Sequence, residues 1–183
     1  RAADINVLCD PGVFLDTINN LKKNNKWGLN KNWITENLSK KKEWINKSLK
    51  QLEKETTQAK KDGGKIHPLQ LALDVQDVMK DNDWLVIDGG NTHFWSEIAI
   101  NIAGYKGKKL GGILHPGTFS MLGVGVPFAL SAKNLNPKSN VVLISGDGAF
   151  LSGGLSIEAA FQENKPIVVV IDNNGGLDCI SQQ

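Results

Sequence analysis

The chain has 183 residues, 40% of them apolar, and a formal net charge of +2, enough for one domain and part of a second. No apolar run approaches the roughly 20 residues of a membrane span, and Arg1 is the sole arginine, which argues against nucleic acid, whose binders use arginine and interleaved aromatics. Cys9 and Cys179 are too few and too far apart for a disulfide framework or a metal knot, so a reducing cytoplasm is the expected setting.

In chain order, Ile5 to Leu8 predicts a short strand. Asp10-Pro11 then supplies an N-cap and a proline suited to the first helical turn, followed by Val13, Phe14, Ile18 and Leu21 at helical spacing. Residues 1–21 thus read as the last strand and helix of an α/β unit. Residues 22–65 carry thirteen lysines against five acidic residues. A solvated, Lys-rich linker over 22–64 is the reading, with a surface for an acidic tail such as coenzyme A as the rival. Within it, Lys22 to Lys31 around Gly28 predicts a connection and residues 32–61 a helix. Its apolar stripe is Ile34, Leu38, Ile45, Leu49 and Leu52. Trp33 and Trp44 flank the stripe as expected anchors, and Asp62-Gly63-Gly64 is the stop.

From residue 65 a second unit begins. His67-Pro68 enters a helix to Met79, Trp84 to Ile87 is a strand, and a helix runs from the Gly89–His93 turn to about Ala103. Gly111 to Ser120 predicts a loop and Met121 to Ala132 a small-residue helix. Val141 to Ile144, a helix at Leu155 to Gln162, and Ile167 to Ile171 follow. Strands alternating with helices predict an α/β fold, a parallel sheet with helices on both faces. The three histidines, His67, His93 and His115, lack metal-ligand spacing in the sequence.

The motif of highest information is Gly146-Asp147-Gly148 followed by Asn173-Asn174, with Asp147 and Asn174 separated by 27 positions. The Asp follows one expected strand and the Asn pair follows the next, so both belong to the ligand crevice at the carboxyl ends of a parallel sheet. A carboxylate and an amide carbonyl are hard oxygen ligands. They suit Mg²⁺, which takes few protein ligands and completes its octahedron with phosphate and water. Glycines beside the Asp allow close approach of backbone N–H groups to a phosphate.

GDG, a helix and strand, then NN resembles the diphosphate-and-metal motif of thiamine diphosphate enzymes. The segment His115-Pro116-Gly117-Thr118-Phe119-Ser120-Met121-Leu122-Gly123-Val124-Gly125 is similar to Gly-Thr-Phe-Gly-x-Met-Gly-Val-Gly of 2-hydroxyacyl-CoA lyases. It is also similar to Gly-Leu-Gly-x-Met-Gly-Phe-Gly of acetolactate synthases. The resemblance implies that residues 65–183 are the thiamine diphosphate-binding domain, C-terminally incomplete, and that 1–21 end a Rossmann-like middle domain. The chain then reads as a piece of a longer protein. Missing from it would be a pyrimidine-binding domain, with the glutamate that activates the cofactor, and the closing lid.

By the same resemblance, Asp147, Asn174 and the backbone carbonyl of Gly176 hold Mg²⁺. Gly90, Asn91 and Thr92, with Gly146, Gly148 and Ala149, contact the diphosphate. Asn91 replaces a family Gln, Asp172 replaces an apolar residue, and Gly175-Gly176 is unusual. Leu122 stands at the apolar wedge that bends the cofactor, usually Met, and the Ser120 carbonyl would accept from its pyrimidine amino group. His115, in the loop nearest the thiazolium, is a candidate proton shuttle. The implied function is cleavage or formation of a C–C bond on a 2-oxo acid, acetolactate synthase-like. Alternatives are a 2-hydroxyacyl-CoA lyase or oxalyl-CoA decarboxylase acting on an acyl-CoA, and a non-catalytic cofactor-binding subunit. The implied assembly is a homodimer or tetramer, in which the partner's pyrimidine domain completes the site.

Overall fold

A computed structural model describes residues 4–24, 30–61 and 63–181. The expected connection at Gly28 and the helix stop at Asp62 lie outside them. The chain divides into two compact units between Asn46 and Lys47, inside a long helix. No helix among the described residues is long and apolar enough to cross a membrane.

In the first unit, α1 spans Pro11–Asn24. Its start is capped by Asp10, whose Oδ1 accepts the Val13 N–H at 3.1 Å. The strand expected at Ile5 to Leu8 does not form, and these residues are exposed. A strand exists only by pairing, and none of the described residues pairs with this one. α2 spans Lys31–Lys61 and carries the boundary between the units, its residues from Lys47 onward belonging to the second. Trp33 and Trp44, expected as anchors, are 61% and 43% exposed. The helix ends where the Gly64 N–H reaches back to the Ala59 carbonyl at 2.9 Å, a six-to-one closure.

The second unit is the predicted α/β layer structure. α3 (Pro68–Val78) leads to β1 (Trp84–Asp88), α4 (Gly90–Tyr105) and β2 (Gly112–Leu114). α5 (Gly125–Leu135), β3 (Val141–Gly146), α6 (Asp147–Gly153), α7 (Ile157–Gln162), β4 (Val168–Asp172) and α8 (Asp178–Ser181) follow. The four strands are parallel, in the order β2-β1-β3-β4. Alternation along the strands builds two cores. Leu85, Ile87, Val142 and Ile144 face Val75 and Met79 at the end of α3, while Val86, Val141 and Leu143 face Val126, Ala129 and Ala132 of α5. The small residues of α5 bring that helix close to the sheet.

Several boundaries differ from the sequence expectation. The loop over Gly111 to Ser120 contains β2 and a 3₁₀ turn at Gly117–Phe119. β2 is three residues long and pairs only with β1, too short for a periodicity signal. The helix expected from Met121 begins at Gly125, because the preceding residues are held by the Asp88 carboxylate. The single helix expected at Leu155 to Gln162 is α7, preceded by α6 and a 3₁₀ turn at Gly154–Ser156. β3 runs directly into α6 at Gly146-Asp147.

His67 ties three elements together. Its Nδ1 accepts the Leu69 N–H at 3.1 Å and so caps α3. Its Nε2 lies 2.9 Å from Glu55 on α2, and its ring meets Trp95 of α4 edge-on at 4.9 Å between centroids.

Candidate functional site

β1 is followed in sequence by β2 on one side of it, whereas β3 pairs on its other side. The direction of winding therefore reverses between β1 and β3. A crevice opens at the carboxyl ends of strands at such a point. Register aligns Asp88 of β1 with Ser145 of β3, and Gly146 of β3 with Asp172 of β4. The segments that leave these strands thus emerge side by side.

The cleft there has a volume of about 180 Å³. Its wall includes Gly90, Asn91 and Thr92 after β1, Ser120 and Leu122 before α5, and Gly146 to Ala149 after β3. Asn174 and Gly176 after β4 complete it. The Gly89–His93 turn, the segment before α5 and the GDG–NN motif singled out in the sequence converge on this cleft. His115 does not line it; its ring lies against His93, 4.7 Å between centroids. Leu177, Cys179 and Ile180, which the sequence did not single out, close one side.

Asp147 stands at the start of α6, one residue past the paired Gly146. One carboxylate oxygen accepts the N–H of Gly148 at 2.8 Å, the other that of Gly175 at 3.0 Å. The side-chain oxygen of Asn174 accepts the Gly176 N–H at 3.2 Å. A carboxylate, an amide oxygen and the Asn-Asn-Gly-Gly backbone thus share one corner. No Lys, Arg or His lines the cleft among the described residues.

Contacts across the strand ends fix the cradle. The Thr92 hydroxyl donates to Asp172 Oδ2 at 3.1 Å, linking the first turn to the end of β4. This gives the unusual Asp172 a structural partner. Gly89 has φ +115°, and a Cβ there would meet the Gly146 nitrogen at 3.1 Å; only glycine fits this crossing. Asn91 Oδ1 accepts from the Cys179 thiol at 2.7 Å.

The segment before α5 is held from beneath by Asp88 at the end of β1. Asp88 is 1% exposed. Its Oδ2 accepts the N–H groups of Gly123 and Gly125 at 3.0 and 2.7 Å. Its Oδ1 is buried with no hydrogen-bond partner among the described residues. Burial pushes this carboxyl above the usual range, and the N–H groups of Gly125, Gly123, Gly89 and Val124 pull it part of the way back. The available signal was an acidic residue ending an otherwise apolar strand.

Ser120, beside Leu122 on the wall, has φ +49° and ψ +31°, the left-handed region that favours glycine. The motif it matches has glycine there. Ser120→Gly should raise stability by about 0.5–1 kcal/mol through relief of that strain, read as a higher denaturation midpoint. A lower midpoint would mean that the hydroxyl contact to the Gly117 carbonyl outweighs the strain.

Histidines without metal spacing in the sequence are brought together by the fold. His93, Glu97 and His115 each present a ligand atom within 4.8 Å of the others. The pairing of β1 with β2 carries the segment after β2 back to the start of α4.

Residues 88–183 match the family described as thiamine pyrophosphate enzyme, C-terminal TPP binding domain. A catabolic acetolactate synthase of Raoultella terrigena is 30% identical over 120 residues, 64% of this chain and 21% of that protein. A 2-hydroxyacyl-CoA lyase 2 of Bos taurus is 32% identical over 120 residues, 64% and 18% of the two chains. An oxalyl-CoA decarboxylase of Escherichia coli is 36% identical over 105 residues, 56% and 18%. The chain therefore spans about a fifth of the length of these curated relatives.

Proposed function

Because the chain belongs to the thiamine pyrophosphate enzymes, through their C-terminal TPP binding domain, we propose that its cleft holds the diphosphate end of thiamine diphosphate together with Mg²⁺. We further propose that it does so in an enzyme acting on the C–C bond beside the carbonyl of a 2-oxo acid. The observation that carries this reading is the Asp147 corner, where a carboxylate bonded to the Gly175 N–H sits with Asn174 at the ends of paired strands.

The donor set fits the group. Asp147, Asn174 and the Gly176 carbonyl would give Mg²⁺ three oxygen ligands, leaving the rest of its octahedron to phosphate and water. A diphosphate facing the Asp147 carboxylate meets like charge, and among the described residues no lining side chain is cationic. A divalent ion between them resolves the conflict. Gly148 and Ala149 offer N–H groups at the start of α6, and Gly90 to Thr92 offer theirs at the start of α4. When bound, the cofactor supplies an electron sink for the C–C bond. This chain's residues orient it, with Leu122 as the apolar support and the Ser120 carbonyl as the acceptor for its amino group. His115 does not line the cleft, and no proton transfer is assigned to it.

The small cleft, below the roughly 300–1,000 Å³ of complete ligand pockets, suits one end of the cofactor. The remainder would come from a second subunit in a homodimer or tetramer. Exposed Phe119, Met121, Leu151, Leu155 and Phe161 are apolar surface in keeping with such a partner. Within this assignment 1–21, 22–64 and 65–183 are a middle-domain end, a linker and the diphosphate domain, in a reducing cytoplasm. A second reading, 2-hydroxyacyl-CoA lyase or oxalyl-CoA decarboxylase chemistry, is favoured by Gly117-Thr118-Phe119.

The complete protein, loaded with cofactor and Mg²⁺, tests this by turnover of pyruvate against a 2-hydroxyacyl-CoA and oxalyl-CoA. Pyruvate turnover supports the first reading and acyl-CoA turnover the second. Binding without either leaves a non-catalytic subunit. In the active protein, Leu122→Ala should keep cofactor affinity within a few-fold and cut turnover on the order of 10-fold or more through misplacement. Unchanged turnover would make Leu122 ordinary packing.

A further inference from the structure

We propose that His93, Glu97 and His115 form a second metal site, for a late first-row divalent cation such as Zn²⁺, apart from the cleft. His93 and Glu97 lie one turn apart on α4 and share a face. His93 Nε2 is 3.3 Å from Glu97 Oε1. A zinc tetrahedron with bonds of about 2.0–2.1 Å has an edge of about 3.4 Å, so this pair already has the separation of two ligands on one ion. His115 brings a third ligand atom within 4.8 Å of both. It is exposed, and a side-chain rotation can close the remaining gap without moving the sheet. Two imidazoles and one carboxylate suit Zn²⁺ and its neighbours, whereas Mg²⁺ prefers oxygen alone. Three protein ligands leave a fourth position for water.

The site is coupled to the cleft wall through one hydrogen bond. The Gly117 N–H donates to His115 Nδ1 at 3.1 Å. Coordination through Nδ1 takes that lone pair. Coordination through Nε2 requires the neutral ring to carry its proton on Nδ1, facing the Gly117 N–H. Either way the Gly117 bond opens. Gly117 begins the turn whose last residue is Ser120, and Ser120 lines the cleft. Metal loading therefore acts on the conformation of that wall.

The test is a Zn²⁺ titration of chelator-stripped protein in excess Mg²⁺, with Co²⁺ as a coloured probe. A single tight ion per chain is expected, with a Co²⁺ absorption of tetrahedral intensity. His93→Ala, Glu97→Gln and His115→Ala should each weaken binding by more than the roughly 10- to 100-fold that loss of a supporting contact costs. Glu97→Gln is the mildest of these and keeps the test valid if a histidine variant misfolds. The double variant Cys9→Ser/Cys179→Ser and the variant His67→Ala should bind as the wild type does. Absence of tight binding, binding that follows the cysteines or His67, or binding indifferent to the three substitutions would overturn the site.

Discussion

Asp147→Ala should weaken Mg²⁺-dependent binding of thiamine diphosphate by roughly 30- to 150-fold, the equivalent of about 2–3 kcal/mol for a lost charged contact. The side chain has two tasks. It would carry the one negative charge offered to the ion, and it holds the Asn-Asn-Gly-Gly loop through the Gly175 N–H. Asp147→Asn separates them, because its amide oxygen can still accept from Gly175 while the charge is gone. Asn should therefore restore loop order without restoring most of the affinity. Calorimetric titration at fixed Mg²⁺ measures both variants. Wild-type affinity in Asp147→Asn would remove Asp147 from the ligand set.

Asp88→Ala should be less stable than Asp88→Asn by about 2–5 kcal/mol, because Ala leaves the Gly123 and Gly125 N–H groups without an acceptor. The loop carrying Ser120 and Leu122 should loosen with it. A pH effect accompanies this. Burial raises the Asp88 carboxyl in the folded chain, so folding favours its protonated form. Its contribution to stability is complete below the unfolded value of roughly 3.9 and is lost as pH rises through the folded value. Asp88→Asn cannot titrate. The stability of wild type relative to this variant should therefore fall as pH rises from that acidic limit. Denaturant midpoints of both proteins across that range give the answer, and a constant or rising difference contradicts the burial argument.

The legible parts of this fold are those where one local signal suffices. β1, β3 and β4 are apolar runs bounded by turn residues, and each forms within a residue or two of its expected limits. The GDG and NN pair was legible because strand-end placement follows from strand assignment. The unreadable parts depend on partners distant in sequence. β2 exists because residues 112–114 pair with 84–86. α6 contains Gly148 and Gly153, poor helix formers, and tertiary packing overrides them. There, a Cβ on Gly153 would lie 1.9 Å from the Gly123 carbonyl oxygen. Ile5 to Leu8 had strand composition without a pairing neighbour among the described residues. Asp88 fell just past the expected end of β1, and nothing local says that its carboxylate caps a loop 35 residues later. His93 and His115 met only through the β1–β2 pairing.

Binding of the diphosphate end of thiamine diphosphate through a divalent ion is the proposal on which the role of the cleft stands. It is tested most directly by titrating the cofactor into chelator-stripped protein, with Mg²⁺ and without it. The predicted result is saturable binding in Mg²⁺ that disappears on chelation and returns when Mg²⁺ is restored, since among the described residues no cationic side chain lines the cleft to replace the ion. Equal affinity with and without a divalent ion would contradict it.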